Sequence, residues 1–155
     1  MLPDMSAPHV RGEYDPPDRV RGLPSWLVAQ VARRSQLLVE DALAEEGARR
    51  QHYVVLASLA EQGHSSQADL GRRLWIDRSD LHALLNDLEQ RGWVARVRDE
   101  QDRRRNVVTL TRSGRAALAR LDKRVHAAQD ALLASLAAAD RRELLRLLQR
   151  VIAED

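Results

Sequence analysis

Apolar residues recur at helical spacing over most of this chain, and the spacing changes once. From Leu23 the segment LPSWLVAQVARRSQLLVEDALAEEG places Leu27, Val31, Leu38 and Ala42 on one stripe, the pattern of an amphipathic helix. Pro24 suits its first turn and Gly47 its stop. A second helix over 48–61 carries Tyr53, Val55, Leu56 and Leu59 and stops at Gly63. Ser66 and Asp69 have capping-box spacing and open a short helix with Leu70 and Leu74. Asp77 caps a further helix, in which Leu81, Leu84, Leu85 and Leu88 fall at i, i+3, i+4 and i+7. Gly92 ends it.

The period then becomes two. WVARVRD alternates apolar and basic residues as a half-exposed strand does, NVVTLT is a second strand, and the charged DEQDRRR between them is a hairpin loop. After Thr111 the helical period returns through Leu118, Leu121, Val125, Leu132 and Leu136. Asp140 and Glu143 are spaced as a second Asp-type capping box, opening a last helix with Leu144, Leu147, Leu148 and Val151. Residues 1–22 hold four of the five prolines and show no period, so they read as an arm that orders only by docking. The predicted fold is mainly α with a small β-hairpin, and adjacent strands exclude a βαβ sheet.

Composition narrows the class. The 155 residues are 44% hydrophobic and 31% charged, the balance of one soluble globular domain. The absence of cysteine excludes disulfides, thiol redox chemistry and a cysteine zinc site. No apolar run reaches the ~18 residues of a membrane span, and no signal-peptide core is present, so the expected location is the cytoplasm without membrane association. His9, His52, His64, His82 and His126 show no metal-binding spacing, so no metal or cofactor is expected. There is no nucleophile–base motif, Gly-rich phosphate loop or carboxylate pair, so the chain does not read as an enzyme. Net charge is only +2, but 25 residues are basic and all except Lys123 are arginine. Their placement matters more than their number.

A short helix, a tight turn and a helix with a polar outer face make a helix-turn-helix. With the four leucines inward, the second helix shows Ser79, Ala83 and Asn86, with Arg78 and His82 on one flank and Asp80 and Asp87 on the other. Ser66 and Gln67, which open the first helix, are expected among the DNA contacts. Ser, Asn and His can bond base edges, and Arg78 can reach a phosphate or a guanine. Five arginines lie between Arg96 and Arg105. A loop carrying Arg103, Arg104 and Arg105 suits the electronegative minor groove, and Asp102 can orient one of them through a bidentate pair.

SQADLGRRLWIDRSDLHALLNDLEQRGWVARVRDEQDRRRNVVTLTRSG resembles the core of the MarR family. The most specific piece is DRRRNVVTLT, residues 102–111, similar to that family's wing signature. The resemblance implies a winged helix-turn-helix lobe over 48–111, with a recognition helix at 77–91 and a wing at 93–111. It implies dimerisation through a first helix at 23–47 and through helices in 112–155. Arg104 matches the wing arginine that enters the minor groove, and Asp102 the acid that holds it. Asp80, Ala83 and Trp75 depart from the pattern, as does the arm of about twenty residues before the first helix.

These features point to a homodimer that binds a pseudo-palindromic double-stranded DNA operator. The family resemblance implies, as the expected function, a repressor released by a small aromatic or phenolic ligand. An arginine among Arg33 and Arg34 would hold the carboxylate, and Trp26, His52 and Tyr53 would line the ring's site. The alternative is a winged-helix protein that has lost DNA binding and serves as a ligand- or protein-interaction module, a reading to which Asp80 and Ala83 lend support.

Overall fold

The structure, a computed structural model, describes residues 16–99 and 106–153. It divides into two compact units, Met1–Arg33 and Arg34–Asp155. In the first unit the described chain makes a single helical turn, α1 (Asp18–Arg21), and then begins α2 (Pro24–Ala44). Leu23, Leu27, Val28 and Val31 are all exposed there. The apolar stripe predicted for this helix therefore exists, but its first half is not covered.

The second unit holds the end of α2, then α3 (Arg50–Gln62), β1 (His64–Ser66), α4 (Gln67–Leu74), α5 (Arg78–Gln90), β2 (Val94–Arg98), β3 (Asn106–Leu110), α6 (Arg112–Leu132) and α7 (Ala138–Ile152). Its core joins Leu43, Val55, Leu56 and Leu59 to Leu70 of α4, all four α5 leucines, Val94, Val108, Leu110, Ala117 and Leu121. Each fully buried leucine contributes about 1.5–3 kcal/mol relative to exposure. The predicted inner face of α5 is therefore the inner face. No helix among the described residues is long and apolar enough to cross a membrane.

The sheet is three-stranded, not a simple hairpin. Its order is β1-β3-β2, antiparallel throughout, with His64 opposite Thr109 and Val94 opposite Leu110. The sequence concealed β1 because HSS has neither length nor alternation. It becomes a strand because β3 has a second edge whose N–H and C=O groups need partners. Strand β2 also departs from simple alternation. Val97 is exposed, whereas the Arg96 side chain is three-quarters covered.

Two helix starts differ in how they are made. Thr111 caps α6, its hydroxyl accepting from Gly114 N–H at 2.9 Å and donating to Gly92 C=O at 2.6 Å. Gly114 sits directly on the chain before β2: a Cβ there would lie 1.9 Å from the Trp93 carbonyl oxygen. The capping box expected of Asp140 and Glu143 does not form. Helix α7 starts earlier, after Ala137, which offers no side-chain cap. Asp140 thus lies inside the first turn, where its charge favours the helix dipole, and Glu143 pairs with Arg146 at 2.6 Å. Arg141 ties this start back to α6, reaching Asp130 at 3.0 Å and Leu136 C=O at 3.1 Å.

Helix α5 is fastened to the scaffold by one polar cluster centred on a buried histidine. His52 of α3 is 0% exposed. Its Nδ1 accepts from Arg49 N–H at 3.1 Å, which places the proton of the neutral ring on Nε2, 2.8 Å from Asp87 Oδ2. Asp87 Oδ1 accepts from Arg91 Nε at 3.1 Å, and Arg91 reaches on to Gly47 C=O at 2.9 Å. Arg91 also lies over the Trp93 ring, which makes a T-shaped contact with His52. Burial, and after it the Arg91 and Arg49 charges, hold the His52 pKa below the usual histidine value against the pull of Asp87. Desolvation opposes ionisation of Asp87, but Arg91 and His52 outweigh it and hold its carboxyl below the usual range. Asp87, which the helical wheel places on an outer flank, is thus the anchor of α5.

Two outcomes follow for stability. Gly114→Ala must push α6 off Trp93, and we expect a loss of at least about 3 kcal/mol in denaturant unfolding, the scale of a severe overpacking; a change under about 1 kcal/mol would contradict the close approach. For His52 the folded state favours the neutral ring, so its contribution is complete above the ordinary histidine pKa and falls as pH drops below it. Asp87, with a lowered pKa, loses its contribution only at more acid pH. Stability measured between roughly pH 7 and 5 should therefore decline in the wild-type protein and decline less in His52→Gln. Parallel profiles would show that His52 is not the titrating group.

Candidate nucleic-acid interface

The site is built from two helix N-termini and one strand. Ser66 caps α4, its hydroxyl accepting from Asp69 N–H at 3.1 Å and donating to Asp69 Oδ2 at 2.6 Å. The Asp69 carboxylate in turn holds Arg72. Helix α4 then approaches the next helix closely: a Cβ on Gly71 would be 3.1 Å from Ile76 C=O and 3.5 Å from Leu81. The turn between them passes through Trp75, which adopts a left-handed conformation (φ 54°) with its side chain in solvent.

Asp77 starts α5. Its carboxylate accepts from Ser79 N–H at 2.9 Å, Asp80 N–H at 3.0 Å and Ser79 Oγ at 2.7 Å. Those bonds, led by the one from the Asp80 backbone, hold its pKa below the usual value. They also fix the polarity of Ser79. Its hydroxyl proton is given to Asp77, so its lone pairs remain to accept from a partner. Arg78, Ser79, Asp80, His82 and Ala83 are all exposed.

An open groove of about 1300 Å³ runs between α4 and α5 and reaches the wing strand. Ser66, Gln67 and Arg72 line one wall, Asp77, Arg78, Ser79 and His82 the other, and Asn106 of β3 closes one end. Five of the residues picked from sequence as DNA contacts, Ser66, Gln67, Arg78, Ser79 and His82, therefore converge on one concavity. Asn86 stands apart and is half-buried. Its Oδ1 accepts from Arg96 Nη2 of β2 at 2.8 Å, while Arg96 also pairs with Glu89. Neither Arg96 nor Glu89 was expected here. The seven-residue separation of the ion pair and the outward Val97 gave no local signal. Asp102, Arg103, Arg104 and Arg105 lie outside the described residues.

The residues expected to bind a ligand are distributed over both units. Trp26 is half-buried and Arg33 exposed in the first; Arg34 is exposed in the second. Tyr53 donates its hydroxyl to Asp122 Oδ1 at 3.0 Å, linking α3 to α6. His52 is closed off from solvent with both ring nitrogens engaged, so its place is in the anchor beneath α5. Among the described residues no three His, Asp or Glu side chains cluster as a metal site.

Comparison with known proteins gives the same outline. Residues 47–105 match the sequence profile of the MarR family. An HTH-type transcriptional repressor of Mycobacterium bovis is 33% identical over 113 residues, covering 73% of this chain and 81% of its own. The transcriptional activatory protein BadR of Rhodopseudomonas palustris is 40% identical over 77 residues, 48% of this chain, and the match spans less than half of BadR, 44%. Among solved structures, the transcriptional repressor CouR bound to a 23-mer DNA duplex superposes with a TM-score of 0.76 at 28% identity, covering 87% of this chain and 96% of that one. The profile match over the helix-turn-helix and wing, the repressor relative and the shared fold agree: this chain belongs to the MarR family of winged helix-turn-helix transcription regulators, which are not enzymes.

Proposed function

We propose that the protein is a sequence-specific double-stranded DNA-binding repressor that acts as a homodimer and is released by a small aromatic or phenolic ligand. The observation that carries DNA binding is the α4–α5 groove, where Ser66, Gln67, Arg78, Ser79 and His82 line the walls of one concavity beside the wing strand. In this reading α5 enters the major groove. Ser66 and Gln67 meet a phosphate at the N-terminus of α4, and Arg78, Ser79 and His82 meet base edges. Asp102 orients Arg104 for the minor groove, with Arg103 and Arg105 on the phosphates beside it. CouR in its duplex complex and the repressor relative support this reading.

The dimer reading rests on uncovered apolar surface in each unit. No residue of α7 is buried, and Leu145, Leu148, Val151 and Ile152 are exposed on it. In the first unit Leu23, Leu27, Val28 and Val31 are likewise exposed. Patches of this kind mark association surfaces in soluble proteins. A dimer presents two recognition helices at the fixed spacing that an operator with pseudo-twofold symmetry requires. Release by ligand follows if the effector favours a dimer geometry that does not match that spacing. The family resemblance supports an aromatic acid as effector, with Trp26, Arg33, Arg34 and Tyr53 as the side chains to vary.

Three measurements test these statements. Mobility-shift titration against the DNA upstream of its own gene should give a specific complex at moderate salt, weakened by an aromatic acid; no shift in the absence of any ligand would refute the reading. Arg104→Ala should weaken binding to all duplexes and lower the slope of log K against log salt by about one unit, and an unaltered slope would remove Arg104 from the phosphates and minor groove. In light scattering the wild-type chain should be a dimer and Leu148→Glu/Val151→Glu a folded monomer. A dimer that survives both charges would place the interface elsewhere.

A further inference from the structure

We infer that Arg96 is a positioning residue that makes Asn86 a donor-only reader of DNA, recognising a hydrogen-bond acceptor and rejecting a donor. The inference rests on the DNA-binding reading and deepens it.

A side-chain amide carries an acceptor and a donor of nearly equal size, so an unconstrained asparagine can read either kind of base edge by rotating about its last bond. Asn86 lacks that freedom. Arg96 Nη2 lies 2.8 Å from its Oδ1. A guanidinium has five N–H donors and no acceptor, so only the amide oxygen can face it. The Nδ2 group is thereby directed to the other side of Cγ. Arg96 is itself fixed. Glu89, one turn along α5, holds its Nη1 and accepts from its backbone N–H at 3.4 Å, and three-quarters of its side chain is covered. The contact therefore has a rigid origin on β2 and a rigid target on α5, ten residues apart in sequence.

Asn86 shares a face of α5 with Ser79 and His82, at i, i+3 and i+7 spacing. The two polar residues at the ends of this face have opposite fixed polarities. Ser79, its proton committed to Asp77, is left to accept. Asn86, its oxygen committed to Arg96, is left to donate. In the major groove an acceptor is purine N7, guanine O6 or thymine O4, whereas cytosine N4 and adenine N6 are donors. A phosphate oxygen has the same acceptor chemistry. Releasing Arg96 would free the amide to turn, with discrimination falling more than affinity.

The test begins with selection of a preferred duplex from a random library by the wild-type dimer, followed by affinities of variants for that duplex. Three scans locate the acceptor: 7-deazapurines remove base N7 atoms, 2-aminopurine and 5-methyl-2-pyrimidinone remove guanine O6 and thymine O4, and methylphosphonates remove phosphate oxygens. Asn86→Ala should lose about three- to tenfold in affinity, the scale of one hydrogen bond. That loss should vanish on the single modified duplex that lacks the partner acceptor. Coupling to a modified base assigns Asn86 to that base, and coupling to a methylphosphonate assigns it to the backbone; coupling to none of the three kinds of modification, at any position, overturns the proposal. Arg96→Met should broaden the selected sequence at that position. Arg96→Lys, which also can only donate, should restore the preference. A purely structural Arg96 would instead lower thermal stability and weaken all duplexes equally, with no change in the selected sequence, and that outcome also overturns the proposal. If the wild-type chain selects no duplex, the DNA-binding reading fails first and this inference with it.

Discussion

A single carboxylate organises the proposed reading head. Asp87 lies on α5 and is gathered from three sides: His52 of α3 at 2.8 Å, Arg91 at 3.1 Å and Arg49 at 3.8 Å. Arg91 passes the connection on to the Gly47 carbonyl, where α2 gives way to α3. The leucines of α5 supply most of the burial energy, but apolar contacts are non-directional and tolerate small rotations. The Asp87 bonds do not, because each has a preferred distance and angle. They set the rotation of α5 about its own axis, and with it the direction in which Ser79, His82 and Asn86 point. Removing Asp87 would leave the Nε2–H of the buried His52 without its acceptor, at a cost of about 1–3 kcal/mol.

The same helix is tied at two further points. At its N-terminus Asp77 consumes the first free N–H groups and fixes Ser79. Near its C-terminus Arg96 bridges from β2 to Asn86 and Glu89, joining that strand to the helix. Gly71 lets α4 pack directly against the Ile76 carbonyl and the Leu81 side chain, where a Cβ would lie 3.1 Å and 3.5 Å from them. Trp75 is the cost of the turn. A non-glycine residue in the left-handed region is disfavoured by about 1 kcal/mol, and here the indole is left 95% exposed.

Much of this was legible from periodicity. The leucine stripe of α5, the Asp77 cap and the Ser66–Asp69 pairing all depend on near neighbours in sequence, and each took the predicted form. The failures share a different cause. Strand β1 exists because β3 has a free edge, a fact of tertiary pairing that HSS does not encode. Helix α7 begins before Asp140 because Arg141 anchors it to α6, not because a side chain caps it. His52 looked like a candidate ligand contact, and Asp87 like surface, because neither shows that the other lies beneath it, 35 positions away. Arg96 was counted among exposed wing arginines because alternation placed Val97 inward. In each case an ion pair or hydrogen bond between distant residues decided the outcome.

The central claim is that the rotation of α5, and hence DNA recognition, is set from beneath by the Asp87 cluster. Hydrogen exchange and duplex affinity measured together on Asp87→Asn test it most directly. The account predicts faster exchange confined to residues 78–90 and a matching fall in affinity, with α6 and the sheet still protected. Full affinity alongside a deprotected α5, or an α5 protected as in the wild type, would contradict it.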